Sequence, residues 1–162
     1  MIRSMLVVVA VVGVLLLIVP RPNKVPVQSI DVPGVATSVR GQLGFSPSVP
    51  RGLPGGWTAV AAEVQQATGN IPTWHLSYLT PSGHYAGVQE AAHPSQAWEN
   101  RQVTDGAATQ GHHQAAGRRW LVRSRTDRGI TSWVLRAPDR TTIVTGTAGQ
   151  AELDQLASAL FA

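Results

Sequence analysis

The sequence contains no cysteine. This absence excludes disulfides, thiolate metal ligands, cysteine nucleophiles and a lipid-modified cysteine anchor, so stability has to come from burial and backbone pairing. The chain also lacks a Gly-x-Ser-x-Gly nucleophile elbow, a P-loop and a His-Glu-x-x-His zinc motif. The sequence therefore predicts a protein without a cofactor and without catalytic residues.

Acidic residues are few, nine against thirteen basic residues, which gives a formal net charge of +4. The excess is concentrated at the start of the chain. Before Phe45, four basic residues oppose one acid, whereas from Phe45 onward nine arginines oppose eight acids. Because the larger part of the chain is close to neutral, the high pI is a poor indication of nucleic-acid binding.

A polar-free run of fifteen residues, MLVVVAVVGVLLLIV, covers Met5 to Val19. A helix of this length rises about 22 Å, and one that starts at Met1 rises about 28 Å, close to the roughly 30 Å hydrocarbon core of a bilayer. No small-x-small cleavage site follows, so the pattern favours an uncleaved anchor over a cleaved signal peptide. Basic residues flank both ends, and the large polar remainder favours a C-terminal domain outside the cytoplasm.

Proline and glycine divide the rest of the chain. Residues 1–20 are predicted to be a transmembrane anchor, residues 21–44 a Pro-rich tether with a short helix, and residues 45–162 an extracytoplasmic α+β domain. In the tether, Asp31 is a candidate N-cap, and Pro33 falls in the first turn of the helix that would follow.

Alternating apolar residues in the domain predict about six strands in the order β-β-β-α-β-β-β-α. The predicted strands are Trp57–Val64, Thr73–Thr80, His84–Glu90, Arg118–Arg125, Ile130–Ala137 and Thr141–Gly146. A helix that His93-Pro94-Ser95 opens, with the proline in its first turn, runs to about Gln102 and separates the two sets of strands, and a capping box at Thr147–Gln150 starts the terminal helix. The small, polar segment Thr104–Gly117 is predicted to be a loop with room for a short strand. Hairpins dominate, so the expected fold is a mainly antiparallel α+β sheet with helices packed on one face.

The turn sequences Thr80–Gly83 and Thr126–Gly129 predict two hairpins. In each hairpin, one alignment of the strands places large side chains on a common face. The predicted opposite pairs are Tyr78–Ala86, Leu76–Val88, Trp120–Leu135 and Val122–Trp133. For the last strand the register stays open, because Ile143 and Val144 point to opposite faces and either could be buried.

Arginine is concentrated in one segment, with seven arginines between Arg118 and Arg140. Arg119, Arg123 and Arg125 share the strand face opposite Trp120, and Arg136 joins them from the neighbouring strand. One interpretation is a solvated outer face whose arginine stems cover the sheet. The other is a binding face for anionic groups.

The five histidines do not have the spacing of a metal site. His112 and His113 are adjacent, so in a strand they point to opposite faces. His75 and His84 lie on paired strands but about four residue pairs apart. No metal site is therefore predicted.

Four short motifs resemble an actinobacterial family that is catalogued as domain of unknown function 4245. They are the apolar run ending in Pro-Arg-Pro, LPGGW at Leu53–Trp57, GRRW at Gly117–Trp120 and TIVTGTA at Thr142–Ala148. Members of that family are predicted single-pass envelope proteins. The resemblance implies a membrane-anchored extracytoplasmic domain, and it implies no catalytic residue.

These observations predict a non-catalytic interaction or scaffold module of the cell envelope, attached to the membrane through Met5–Val19. The alternative is an envelope binding module for an anionic lipid or polymer that uses Arg119, Arg123, Arg125 and Arg136. The expected partners are an envelope protein or an anionic envelope polymer, and nucleic acid is not expected. A hydrolase is the more distant alternative.

Overall fold

One antiparallel sheet organises the part of the chain that the computed structural model describes, residues 30–162. Its seven strands lie in the spatial order β1-β2-β3-β7-β6-β5-β4. The strands are β1 Thr58–Ala67, β2 Ile71–Leu79, β3 Tyr85–Ala92, β4 Ala108–Ala115, β5 Arg118–Arg125, β6 Ile130–Arg136 and β7 Arg140–Gly146. The predicted antiparallel α+β fold is thus confirmed, with one strand more than the sequence indicated.

Within residues 30–162, four α-helices accompany the sheet. They are α1 Val32–Ser38, α2 Arg40–Leu43, α3 Gln96–Gln102 and α4 Gln150–Leu160, and a 3₁₀ turn at Thr126–Arg128 joins β5 to β6. The predicted start of α1 is confirmed, because the Asp31 carboxylate accepts a hydrogen bond from Gly34 N at 3.2 Å. Val32, Ala36 and Leu43 are buried in the core, so this part of the predicted tether packs against the sheet.

Most of the predicted hairpin pairs are confirmed. Tyr78 lies opposite Ala86, Leu76 opposite Val88, and Val122 opposite Trp133. The fourth pair, Trp120 and Leu135, contributes to the same hydrophobic cluster. These registers depend on local turn chemistry, which the sequence displays directly.

The segment Thr104–Gly117, predicted to be a loop with room for a short strand, is instead a strand over most of its length, because Ala108–Ala115 forms the eight-residue strand β4. Its sequence, ATQGHHQA, contains few of the β-branched and aromatic residues that favour strands. It also contains a bulge between Thr109 and Gly111, where Gly111 adopts a φ of +108°. Backbone pairing with β5 rather than side-chain propensity makes this segment a strand.

The prediction that the helices pack on one face is also wrong. Ile143 and Val144 are adjacent in β7 and both are fully buried, Val144 in the cluster that includes Leu153 and Leu156 of α4, and Ile143 in the cluster around Trp98 of α3. Because neighbouring residues in a strand point to opposite faces, α3 and α4 cover opposite faces of the sheet. Strand β7 lies centrally, between β3 and β6, which explains why both of its faces are covered.

Helix α4 does not begin with the predicted capping box. Its N-cap is Gly149, which makes no side-chain cap, and the helix starts at Gln150. The Thr147 hydroxyl instead accepts a hydrogen bond from Tyr85 N at 3.3 Å. The threonine therefore extends the contact between β3 and β7 rather than capping the helix.

A buried carboxylate holds residues 45–57, the lead-in segment that precedes β1. Glu90 is fully buried and accepts hydrogen bonds from Ser48 N and Ser48 Oγ, both at 2.7 Å, and from Thr142 Oγ1 at 2.8 Å. The indole of Trp74 donates to Ser48 O at 3.1 Å. At the end of this segment, the Trp57 ring makes an edge-to-face contact with the Tyr78 ring, with 5.9 Å between the ring centroids. Ser48 is thus attached to the sheet through three polar atoms.

The predicted anchor, Met5–Val19, lies outside the described residues, as does the tether up to residue 29. Within residues 30–162, no helix combines the length and apolar character needed to cross a membrane.

Candidate functional site

The four predicted arginines lie on the sheet face that α3 covers. Arg119, Arg123 and Arg125 alternate along β5 with Trp120 and Val122, which belong to the α4 side. Their face also contains Leu121, which pairs opposite Val134. The strand periodicity therefore predicted the placement of this set.

Two of these arginines are bound to one carboxylate of α3. Glu99, which is buried, accepts hydrogen bonds from Arg136 Nε at 2.7 Å and Arg136 Nη2 at 2.6 Å. The hydrogen bonds that Arg136 donates to Glu99 raise the pKa of Arg136. Arg123 Nη1 lies 3.9 Å from the same carboxylate, and Arg123 also donates two hydrogen bonds to Ala107 O. Both guanidinium groups thus attach α3 and the following loop to the sheet.

Arg125 is engaged in its own turn. It donates hydrogen bonds to the Asp127 carboxylate at 2.7 and 3.1 Å and to the backbone carbonyl of Asp105. The hydrogen bonds that Arg125 donates to Asp127 raise the pKa of Arg125 and lower the pKa of Asp127. Arg125 therefore links the 3₁₀ turn to the loop before β4.

Arg119 differs from the other three, because its hydrogen-bond partner is an imidazole. Its Nη2 donates to His112 Nδ1 at 3.2 Å, and no carboxylate of residues 30–162 forms an ion pair with it. Its neighbour Arg118 stacks over the Phe161 ring on the opposite face, 4.1 Å from the ring centroid. Arg119 is thus the member of the predicted set whose charge is not neutralised within the described domain.

On the other face, a groove of about 440 Å³ lies between the start of α4 and strands β4 to β6. Its lining residues are Gln110, His112, His113, Val122, Ser124, Thr126, Thr131, Trp133, Ala148, Gln150 and Leu153. Five of these side chains carry a hydroxyl or an amide, four are apolar and two are histidines, and these described walls contain no Lys, Arg, Asp or Glu. The groove therefore suits uncharged polar or small apolar groups.

A histidine–aspartate pair lies at one side of this groove. His113 Nε2 is 2.7 Å from Asp154 Oδ1, and the His113 ring lies 4.5 Å from the Trp133 ring. The pair joins strand β4 to helix α4 across 41 positions of sequence. Sequence reasoning missed it because the contact requires the β4 strand, which residue propensity did not indicate.

A smaller concavity of about 220 Å³ lies beside β4 on the α3 face. It is lined by His112, Arg119, Leu121, Val134, Leu135 and Arg136. Strand β4 thus has an uncharged groove beside one of its faces and an arginine-bearing concavity beside the other.

The fold and these two concavities define an α+β domain whose sheet ends in a strand flanked by contrasting surfaces. The chain belongs to the family described as "Protein of unknown function (DUF4245)", whose profile matches residues 1–160. This match confirms the family resemblance carried by the four motifs. No curated protein matches the sequence.

Proposed function

We propose that this chain is a single-pass, membrane-anchored envelope protein whose extracytoplasmic domain acts as a non-catalytic interaction or scaffold module. The observation that carries the proposal is the uncharged groove beside β4. Its described lining contains no Lys, Arg, Asp or Glu and includes the aromatic ring of Trp133, in keeping with the depletion of charge and the enrichment of aromatic residues at the core of protein interfaces. Met5–Val19 supplies the anchor, and the Pro-rich sequence after it supplies the spacer.

The geometry favours this function over a hydrolase. The more distant hydrolase alternative has the His113–Asp154 pair in its favour, because such a pair can activate a nucleophile. His113, however, uses Nε2 to contact Asp154 and stacks on Trp133. The hydroxyls that line the groove, such as Ser124 and Thr131, form no hydrogen bond with His113 in the described domain. The pair serves to join β4 to α4.

A second candidate function is the binding of an anionic lipid or polymer through the arginine face. Arg119 favours it, because that guanidinium has no carboxylate partner within the described domain. Arg123, Arg125 and Arg136 favour it less, since each is engaged by Glu99 or Asp127. A test of anionic binding should therefore replace Arg119 alone by glutamine, because the other three arginines also hold the fold together.

A large side chain that fills the groove should prevent the protein partner from binding. Gln110→Trp places a large ring in the groove, and Gln66→Trp adds the same ring to an exposed position of the opposite edge strand, β1. In affinity capture of the full chain from detergent-solubilised membranes, we expect the Gln66→Trp control to recover the same proteins as the wild type and the Gln110→Trp variant to lose them. Recovery of the same proteins with both variants would contradict the proposed contact surface.

The membrane address is tested separately by adding protease to intact cells or spheroplasts. We expect the domain to be cleaved from outside while a cytoplasmic marker protein stays intact, because the anchor is expected to place residues 45–162 outside the cytoplasm. A domain that stays protected until the membrane is dissolved would show that the extracytoplasmic assignment is wrong.

A further inference from the structure

Among the strands of residues 30–162, β4 is an edge of the sheet. It pairs with β5 on one side, and no described strand pairs with its other side. In natural proteins, charged residues, proline, bulges or a covering element usually prevent an edge strand from pairing with another chain. Between Gly111 and Ala115, beyond its bulge, β4 has a regular register and contains no Pro, Lys, Arg, Asp or Glu. The opposite edge, β1, has Glu63 on its surface and packs against α1.

The two concavities lie where an added strand would put its side chains. Successive residues of a strand point to opposite faces, so a strand paired with β4 would direct one set of side chains toward the uncharged groove and the other set toward the concavity that contains Arg119. Main-chain hydrogen bonds supply affinity in such an arrangement, and the alternate side chains supply specificity.

The charges near β4 determine which strand would fit. The hairpin from residue 108 to residue 125 has four arginines and no acid. Arg123 and Arg125 have carboxylate partners elsewhere in the domain, whereas within residues 30–162 Arg119 hydrogen-bonds to His112 and forms no ion pair with a carboxylate. A strand with carboxylates on the Arg119 side and uncharged residues on the groove side would be complementary to both surfaces.

We propose that β4 accepts an extended segment of a protein partner as an added strand, with Asp or Glu side chains facing Arg119 and uncharged side chains facing the groove. The inference rests on the proposed interaction function and names the chemistry of the partner. A second copy of this chain fits less well. Pairing β4 with another β4 would bring two arginine-bearing, acid-free hairpins together.

The test uses the full chain in detergent and a displayed library of short random peptides. We expect enriched peptides to carry acidic residues at every second position. Arg119→Glu should weaken their binding about tenfold, whereas Arg51→Glu, the same charge change at an exposed site in the lead-in segment, should not.

Backbone pairing is then tested on the peptide rather than on the protein, so that folding of the chain is not at risk. N-methyl groups placed one at a time along an enriched peptide should abolish binding at alternate positions, because only every second amide of an added strand faces β4. Failure to enrich peptides, equal binding to Arg119→Glu, or the absence of this two-residue period would overturn the inference.

Other results separate this inference from the proposed function. Peptides that lose affinity for Gln110→Trp but show no two-residue period would leave the groove as an interaction site and refute the added strand. A concentration-dependent dimer of the chain in sedimentation, abolished by Arg119→Glu, would assign the edge to a second copy and overturn the proposal of a peptide partner.

Discussion

Replacement of Glu90 by alanine is expected to lower the free energy of unfolding by about 3–5 kcal/mol. The carboxylate is fully buried and accepts three hydrogen bonds, two from Ser48 and one from Thr142. Its removal leaves buried donors without acceptors, and each such donor costs on the order of 1–3 kcal/mol. The substitution also leaves a cavity beneath the lead-in segment, which should then detach from the sheet.

Two variants give this prediction its controls. Glu90→Gln keeps the size and one acceptor oxygen, so we expect a smaller loss of about 1–3 kcal/mol. Glu63→Ala removes an exposed carboxylate and should change stability by less than about 0.5 kcal/mol. Denaturant unfolding followed by tryptophan fluorescence measures all three. Equal stability of the Glu90→Ala and Glu63→Ala variants would show that Glu90 does not hold the lead-in segment.

The Trp98→Ala substitution is expected to cost about 3–5 kcal/mol as well, through a different mechanism. Trp98 is fully buried against Val134 and Ile143, and its Nε1 donates to Thr73 Oγ1 at 2.8 Å. Helix α3 has only seven residues, so packing rather than intrinsic propensity keeps it formed. Loss of the indole should release α3 and with it Glu99, the carboxylate that binds Arg136.

Graded substitutions separate packing from hydrogen bonding at this position. Trp98→Phe keeps most of the buried ring and loses the hydrogen bond to Thr73, so we expect the free energy of unfolding to fall by about 1–3 kcal/mol. Ala97→Ser changes an exposed residue of the same helix and should alter the free energy of unfolding by less than about 0.5 kcal/mol. Hydrogen exchange of α3 provides the second measurement. If α3 remains protected in Trp98→Ala, the indole is not what attaches the helix.

Local rules predicted a large part of this fold. The Asp31 cap, the turn at Thr80–Gly83 and the hairpin between β5 and β6 all depend on residues within a few positions of one another. In each case one residue type satisfies a specific backbone requirement, such as the left-handed conformation of Gly83 or Gly129. The sequence therefore contains the full physical reason for these elements.

The features that the sequence did not predict depend on pairing between strands that are far apart in the chain. Strand β7 lies between β3 and β6, and this central position is what places α3 and α4 on opposite faces. No local pattern in Thr141–Gly146 specifies its neighbours, although the adjacent apolar residues Ile143 and Val144 are consistent with burial on both sides. The full length of β4 was not predicted, because the strand depends on backbone pairing with β5 and its residues have weak strand propensity.

The candidate site was predicted in part for the same reason. The common face of Arg119, Arg123, Arg125 and Arg136 follows from strand periodicity. The partners of these arginines do not, because Glu99 reaches them only once α3 lies on that face. Likewise, the contact between His113 and Asp154 exists only when β4 and α4 meet. Sequence patterns thus located the charges, and the tertiary fold determined which of them remain without a partner.

The most direct test of the interaction surface is amide hydrogen exchange of the full chain with and without an enriched peptide. We expect slower exchange within Gly111–Ala115 of β4, because an added strand would pair with its outward amides, and unchanged exchange in β1, the opposite edge. Slower exchange confined to β1 or to the helices, with β4 unchanged, would contradict the claim that this domain binds its partner through the β4 edge.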